Sequence, residues 1–264
     1  MALGRHLQRA IGKRLARLLP PTAARAFVVA LSERDPQTTI GAVARFVKSR
    51  ALDLDRMPFD LAVDGAPRFE HFAGLFASTT LDEAVISMNV RQAAYLWGLV
   101  ETMKPEKVIE IGRYKGGTTL LIAAAMHGRG KFWSIDIAGP GHHLEPRGLA
   151  RPVVEQVRAA CRRFGVSVEL ITGDSRTVDV ETGEVDMVFV DGDHSYEGAM
   201  NDFVRFGTRV RAGGALLYDD AFDDGFMTVP HTAGVGPVVR EIEARGDFRL
   251  VKVVNRLAHL ERIR

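Results

Sequence analysis

From about residue 86 the chain alternates short apolar runs with longer stretches of helical period, and the runs carry no polar alternation. Lys107–Ile111, Lys131–Ile135, Ser167–Ile171, Val185–Val190 and Ala215–Tyr218 read as strands. Met88–Met103, Thr118–His127, Pro152–Phe164 and Tyr196–Val210 read as the helices between them. Strands without a polar side belong in a sheet covered on both faces. The alternation predicts an α/β fold, a doubly wound and mostly parallel sheet whose ligands sit at the carboxyl ends of its strands. A helix near Val238–Ala244 and strands around Phe248–Val254 and Leu257–Glu261 predict a closing hairpin.

The first 85 residues follow another pattern. Residues 1–50 carry ten Lys/Arg against Glu33 and Asp35, a balance of +8, which leaves −6 for the other 214 residues of a chain whose net charge is +2. Leu3, Leu7, Ile11, Leu15 and Leu18 recur at helical spacing opposite Arg5, Arg9, Lys13, Arg14 and Arg17 until Pro20-Pro21 ends the run. A basic amphipathic helix over residues 3–19 follows; it can pack on its own domain, join a second copy in a homo-oligomer, or lie on an anionic membrane surface. The domain reading is a helical N-terminal extension over 1–85 and an α/β domain over 86–264. The mildly acidic body excludes nucleic acid as the expected partner. A single cysteine, Cys161, forms no internal disulfide, and no apolar run has the ~18 to 20 residues of a membrane span. These readings predict a cytoplasmic protein, with residues 3–19 as its contact for a membrane surface, and the Arg-, Ala- and Gly-rich usage is that of a GC-rich bacterium.

Five strand ends carry chemistry. Residues 108–119, Val-Ile-Glu-Ile-Gly-Arg-Tyr-Lys-Gly-Gly-Thr-Thr, run from a strand through a glycine turn into a helix. Glycine lets a ligand approach the backbone, and the helix N-terminus offers unpaired N–H groups. The spacing is not the Gly-x-Gly-x-x-Gly of dinucleotide enzymes, and Glu110 in front of Gly112 can pair with an ammonium group. Asp136 closes the next strand, where an acid can accept both hydroxyls of a ribose. Gly173-Asp174-Ser175 follows the third strand, where a polar side chain can meet an adenine edge. Together these ends describe a nucleoside with an amino-acid tail better than a pyrophosphate. At the fourth, Asp186–Glu197 reads Asp-Met-Val-Phe-Val-Asp-Gly-Asp-His-Ser-Tyr-Glu, and the fifth ends in Tyr218-Asp219-Asp220. Neighbouring strand ends bring Asp191 near Asp219 and Asp220. Oxygen ligands of that kind suit Mg²⁺ or Ca²⁺, and His194 is the titratable base beside them.

Taken jointly, these motifs resemble the class I S-adenosylmethionine-dependent methyltransferases, in particular the metal-dependent O-methyltransferases of catechol and sugar type. Asp-Gly-Asp-His-Ser-Tyr-Glu is similar to a bacterial branch acting on sugars and natural-product hydroxyls, which includes cephalosporin hydroxylase-like proteins. The resemblance runs over roughly 86–222. It implies that Glu110, Gly112, Tyr114 and Gly116 hold the methionine portion of S-adenosylmethionine, Asp136 the ribose, and Asp174 with Ser175 the adenine. Met88 and Val90 would line the methyl-donor side. Asp191, Asp219 and Asp220 would hold Mg²⁺, with Asp220 where the catechol enzymes have an asparagine. His194, with Asp191 the catalytic pair, would stand in place of a lysine base.

The expected function is Mg²⁺-dependent transfer of a methyl group to a hydroxyl of a small molecule: a sugar, glycolipid or natural-product saccharide. His142 and His143, in the 139–146 loop, are second candidates for the base. The alternatives are a metal-dependent oxygenase on the methyltransferase fold, and a non-catalytic membrane-associated protein that retains the fold.

Overall fold

The computed structural model describes residues 66–76, 86–137, 157–159, 161–222 and 232–264. All of them lie in the larger of the chain's two units, Pro58–Phe76 with Val85–Arg264. The amphipathic stripe at 3–19, most of the expected extension and the 139–146 loop lie outside the described residues.

Seven strands form one sheet: β1 (Lys107–Ile111), β2 (Lys131–Asp136), β3 (Ser167–Thr172), β4 (Val185–Val190), β5 (Val210–Tyr218), β6 (Phe248–Val254) and β7 (Leu257–Arg262). Their order is β3-β2-β1-β4-β5-β7-β6. β1 to β5 are parallel, and β7 runs antiparallel to both β5 and β6. The doubly wound reading therefore holds, and the chain reverses its winding between β1 and β4. That reversal opens a crevice beyond the carboxyl ends of these two strands.

The inner strands β1, β2 and β4 and the second half of β5 are buried because they are apolar on both faces, whereas the edge strands β3 and β6 are largely exposed or half-buried, against the expectation for Ser167–Ile171. Ile109, Val188, Leu216 and Tyr218 join Phe203, Phe206, Val238 and Ile242 in one core, built with helices α3 (Tyr196–Arg205) and α4 (Thr232–Arg245). Helices α1 (Val90–Met103) and α2 (Gly117–Ala125) pack against each other. Buried Leu96, Trp97 and Val100 line one and Leu120, Leu121 and Ile122 the other.

Several boundaries differ from expectation. Asn89 caps α1: its side chain accepts the Arg91 N–H at 2.8 Å while Gln92 accepts the Asn89 N–H at 3.1 Å, so Met88 precedes the helix. This reciprocal cap satisfies N–H groups that the helix itself cannot. Helix α2 ends at Ala125, before His127 and Gly128, which both have positive φ. Helix α3 stops at Arg205, and a short turn over Gly207–Arg209 leads directly into β5, which begins at Val210 rather than Ala215. Helix α4 is longer at both ends than the expected 238–244. The closing hairpin is present, with Val254 paired to Leu257. Ahead of the sheet, Phe69–Leu75 is a 3-10 turn whose buried Phe72 meets Trp97 at 5.5 Å between ring centres.

Candidate active site

The glycine turn after β1 is built by close backbone approach. Gly112 has φ +87°, and a Cβ there would stand 2.0 Å from the Asp191 carbonyl oxygen. The Asp191 N–H donates to the Ile111 carbonyl at 2.7 Å. The turn after β1 and the turn after β4 are thus one backbone-packed unit at the crevice. Gly116, φ +82°, opens α2, whose first N–H groups face the same turn.

Glu110 is fully buried. Its Oε2 accepts from Thr119 Oγ1 at 2.6 Å and from the Ser134 hydroxyl, while Oε1 has no hydrogen-bond partner among the described residues. Burial pushes its carboxyl up to about 7, against the pull of these two hydroxyls. A buried carboxylate with an open oxygen is an acceptor that a positively charged ammonium group satisfies by donating to it.

Asp136 does two things at once. It closes β2, and its Oδ2 accepts the backbone N–H groups of Arg113 at 2.8 Å and Tyr114 at 2.9 Å. The expected ribose acid is therefore also the clamp of the glycine turn. Arg113, which the motif reading passes over, is buried and donates to the carbonyls of Ser134 and Ile171, fastening the turn to β2 and β3. Tyr114, exposed with φ +49°, carries Lys115 against its ring at 5.2 Å. Met88 is buried, whereas Val90 is exposed at the start of α1.

After β3, Asp174 caps its own turn by accepting the Arg176 N–H at 2.9 Å. Arg176 reaches across to Asp193 in the turn after β4, so the third and fourth strand ends are bridged. The Ser175 side chain is hydrogen-bonded to Asp202, a buried carboxylate on α3 that sequence reasoning did not single out. Burial raises Asp202 to about 6. Its Oδ2 has no partner among the described residues.

Three of the expected metal or catalytic groups converge. His194 Nε2 lies 3.4 Å from Asp191 Oδ1, and Nδ1 lies 3.3 Å from Asp220 Oδ2. One ligand atom from each lies within 4.8 Å of the others, close enough to surround a small divalent cation. The hydrogen bond to Asp191 raises the His194 pKa. Asp219 is not one of the three. It is 5% exposed and accepts from Gln92 Nε2 at 2.6 Å and from the Asp220 N–H at 2.9 Å, so this carboxylate anchors α1 to the end of β5. Burial, with Asp191 and Asp220 nearby, pushes it up to about 7. One turn along α1, the Tyr95 hydroxyl meets His259 Nδ1 at 2.7 Å, a second polar rung between this helix and the sheet. Arg256, in the turn between β6 and β7, completes the cluster with Nη1 2.7 Å from Asp220 Oδ1.

Helix α4 supports both ligand-bearing turns through bare backbone. A Cβ on Gly234 would be 2.3 Å from the His194 carbonyl oxygen, and one on Gly236 would be 2.5 Å from that of Ala221. Asp186, which opens the fourth motif, lies at the far end of the sheet, where Oδ2 accepts the N–H groups of Glu106 and Lys107 at 2.8 Å each. It holds the start of β1 and takes no part in the crevice. No helix among the described residues is long and apolar enough to cross a membrane.

Residues 109–221 match a family model described as a methyltransferase domain. The chain is 26% identical over 159 residues to a caffeoyl-CoA O-methyltransferase of Eucalyptus globulus, a match covering 59% of this chain and 61% of the relative. It spans about three fifths of the length of the curated relatives it matches. In fold it is similar to the O-methyltransferase TomG of Streptomyces achromogenes, solved with SAM and involved in tomaymycin synthesis. That match has a TM-score of 0.50 and 19% identity over 68% of this chain and 82% of that one. The cofactor-bound Rv0187 from MTB matches with a TM-score of 0.52 and 18% identity over 81% of this chain and 88% of that one.

Proposed function

We propose that this chain is a class I S-adenosylmethionine-dependent methyltransferase of the metal-dependent O-methyltransferase type, and that it transfers a methyl group to a hydroxyl of a small-molecule acceptor. The observation that carries the reading is the backbone contact of Gly112 with Asp191, which joins a cofactor turn and a cation-ligand turn into one crevice. The α/β domain over 86–264 is the catalytic unit in this reading, and residues 1–85 an extension of it.

When bound, S-adenosylmethionine supplies an electrophilic methyl group, and a divalent cation supplies a Lewis acid for the acceptor oxygen. Glu110 meets the cofactor's ammonium end, its open Oε1 supporting that role. Gly112, Tyr114 and Gly116 give the methionine portion close access to the backbone. Asp136 faces the ribose from the end of β2, and the turn at Asp174 and Ser175 lies on the adenine side, with Met88 and Val90 toward the methyl donor. Asp191 and Asp220 hold Mg²⁺. The two carboxylates fit such an ion, which takes oxygen ligands, and the imidazole of His194 stands beside them. Asp219, engaged with Gln92, serves the cation through its charge and through the placement of α1. His194 removes the acceptor's proton. A proton taken up at Nε2 is stabilised by Asp191 Oδ1, 3.4 Å away.

The acceptor class we favour is a sugar, glycolipid or natural-product saccharide. The basic stripe over residues 3–19 supports this, since a stripe of that kind suits an anionic lipid surface, where a glycolipid or lipid-linked saccharide is met. A second reading, a metal-dependent oxygenase on the same fold, gains support from His194, because an imidazole among carboxylates also suits iron.

Titration with S-adenosylhomocysteine separates them. Binding in the micromolar range, together with Mg²⁺-dependent methylation that EDTA abolishes, is the expected result. No binding with or without Mg²⁺ overturns the methyltransferase reading, and full turnover in EDTA overturns the metal role. Asp191→Ala should lose Mg²⁺-dependent turnover while keeping cofactor affinity.

A further inference from the structure

The two oxygens of Asp220 have separate partners. Oδ1 is paired with Arg256 Nη1 at 2.7 Å, and Oδ2 faces His194 Nδ1 at 3.3 Å. Both members of the Arg256 pair are largely shielded, with side chains 17% and 15% exposed. The same turn makes a second tie, because the Ala221 N–H donates to the Arg256 carbonyl at 2.9 Å. Asn255, φ +53°, sets that turn, and the pairing of Val254 with Leu257 fixes its register. Arg256 is therefore delivered to Asp220 by the closing hairpin and held there by backbone and side chain together.

We infer that Arg256 is a positioning residue that restricts Asp220 to one oxygen on the cation side, and thereby selects Mg²⁺ over Ca²⁺. The inference rests on the cation reading of Asp191, His194 and Asp220 given above. Ca²⁺ takes 6–8 oxygens at ~2.3–2.6 Å and often binds a carboxylate through both, whereas Mg²⁺ demands an octahedron at ~2.0–2.1 Å and takes single oxygens. A guanidinium keeps its charge throughout this range, and here it engages Asp220 Oδ1 as an ion pair rather than a directed hydrogen bond. Its positive charge also opposes any cation, but equally for two ions of the same charge. The ratio of the two affinities therefore reports on how many oxygens Asp220 offers, separately from charge.

The experiment is calorimetric titration of the full chain with Mg²⁺ and, separately, with Ca²⁺, for the wild type, Arg256→Gln and Arg256→Lys. The wild type should favour Mg²⁺. In Arg256→Gln the preference should move toward Ca²⁺ by about tenfold, as the shielded ion pair on Oδ1 is lost. Arg256→Lys, which keeps a charged donor, should move it less. An unchanged ratio in Arg256→Gln, with both ions bound, overturns this inference alone. A wild type that binds neither ion overturns the inference and the cation reading together. Should Arg256→Gln fail to fold, Asp220→Asn carries the test: an amide offers one oxygen, so the wild-type preference should persist, and a shift toward Ca²⁺ overturns the inference.

Discussion

The backbone of Gly112 lies flat against that of Asp191, so closely that a single methyl group on the glycine would stand 2.0 Å from the aspartate's carbonyl oxygen. Gly112→Ala should therefore damage two functions at once. The new side chain meets backbone rather than a flexible group, and φ +87° is a region that alanine enters only at a cost. A loss of about 2–4 kcal/mol is expected from strain and overpacking. Chemical denaturation measures it, and calorimetry should show both S-adenosylhomocysteine and Mg²⁺ affinity reduced. A variant that loses only one of the two would contradict the coupling.

Gly234→Ala tests the support from behind. Its Cβ would press on the His194 carbonyl and on the Tyr196 nitrogen, at 2.3 and 2.6 Å. The expected cost is about 1–3 kcal/mol. Displacing the His194 turn should weaken Mg²⁺ binding while S-adenosylhomocysteine binding stays near the wild-type value, since Gly112 and Glu110 are untouched.

Much of this site is written in consecutive residues, and that part could be read directly. Strands, the glycine turn and the acids that close β1, β2, β4 and β5 all follow from apolar runs ending in turn chemistry. What escaped depends on pairs far apart in the chain. Gln92 and Asp219 are 127 positions apart, and Tyr95 and His259 are 164 apart. Three adjacent-looking acids suggested a shared cation, but a glutamine on α1 claims Asp219 for the helix. Arg113 sits inside the motif, yet nothing local reveals that it turns inward to the carbonyls of β2 and β3. The cap Asn89 with Gln92 was legible and would have moved the start of α1 past Met88. The two glycines of β5, Gly213 and Gly214, disguised the first half of that strand as a loop.

The two rungs under α1 should separate in strength. Gln92→Leu leaves Asp219 buried without its amide, at an expected cost of about 1–3 kcal/mol, and should also disturb the cation site next to it. Tyr95→Phe removes a hydroxyl whose partner, His259, is held below the usual histidine range by burial, and should cost about 1 kcal/mol. Thermal unfolding of both variants checks the order.

Asp202 gives the fold a dependence on pH. Its folded-state pKa, about 6, lies above the ordinary carboxylate value, so the folded protein prefers the protonated form. The stability it contributes is fully present below the ordinary value of 3.8 and is lost as pH rises through about 6. The difference amounts to roughly 2–3 kcal/mol. Asp202→Asn, which keeps the size and cannot ionise, should flatten the decline in stability between pH 4 and 6, as denaturation at several pH values would show. An unaltered profile would assign the decline to other groups.

The order of strands also has a consequence for how the protein is made. β7, the last described strand to leave the ribosome, is the one that inserts between β5 and β6. Until it arrives, β6 has no strand to pair with and Arg256 has no hairpin to carry it to Asp220. A nascent chain lacking residues 257–262 can already hold its parallel strands and its glycine turn. The cluster of Asp191, His194 and Asp220 acquires its arginine only when the sheet receives its inner antiparallel strand.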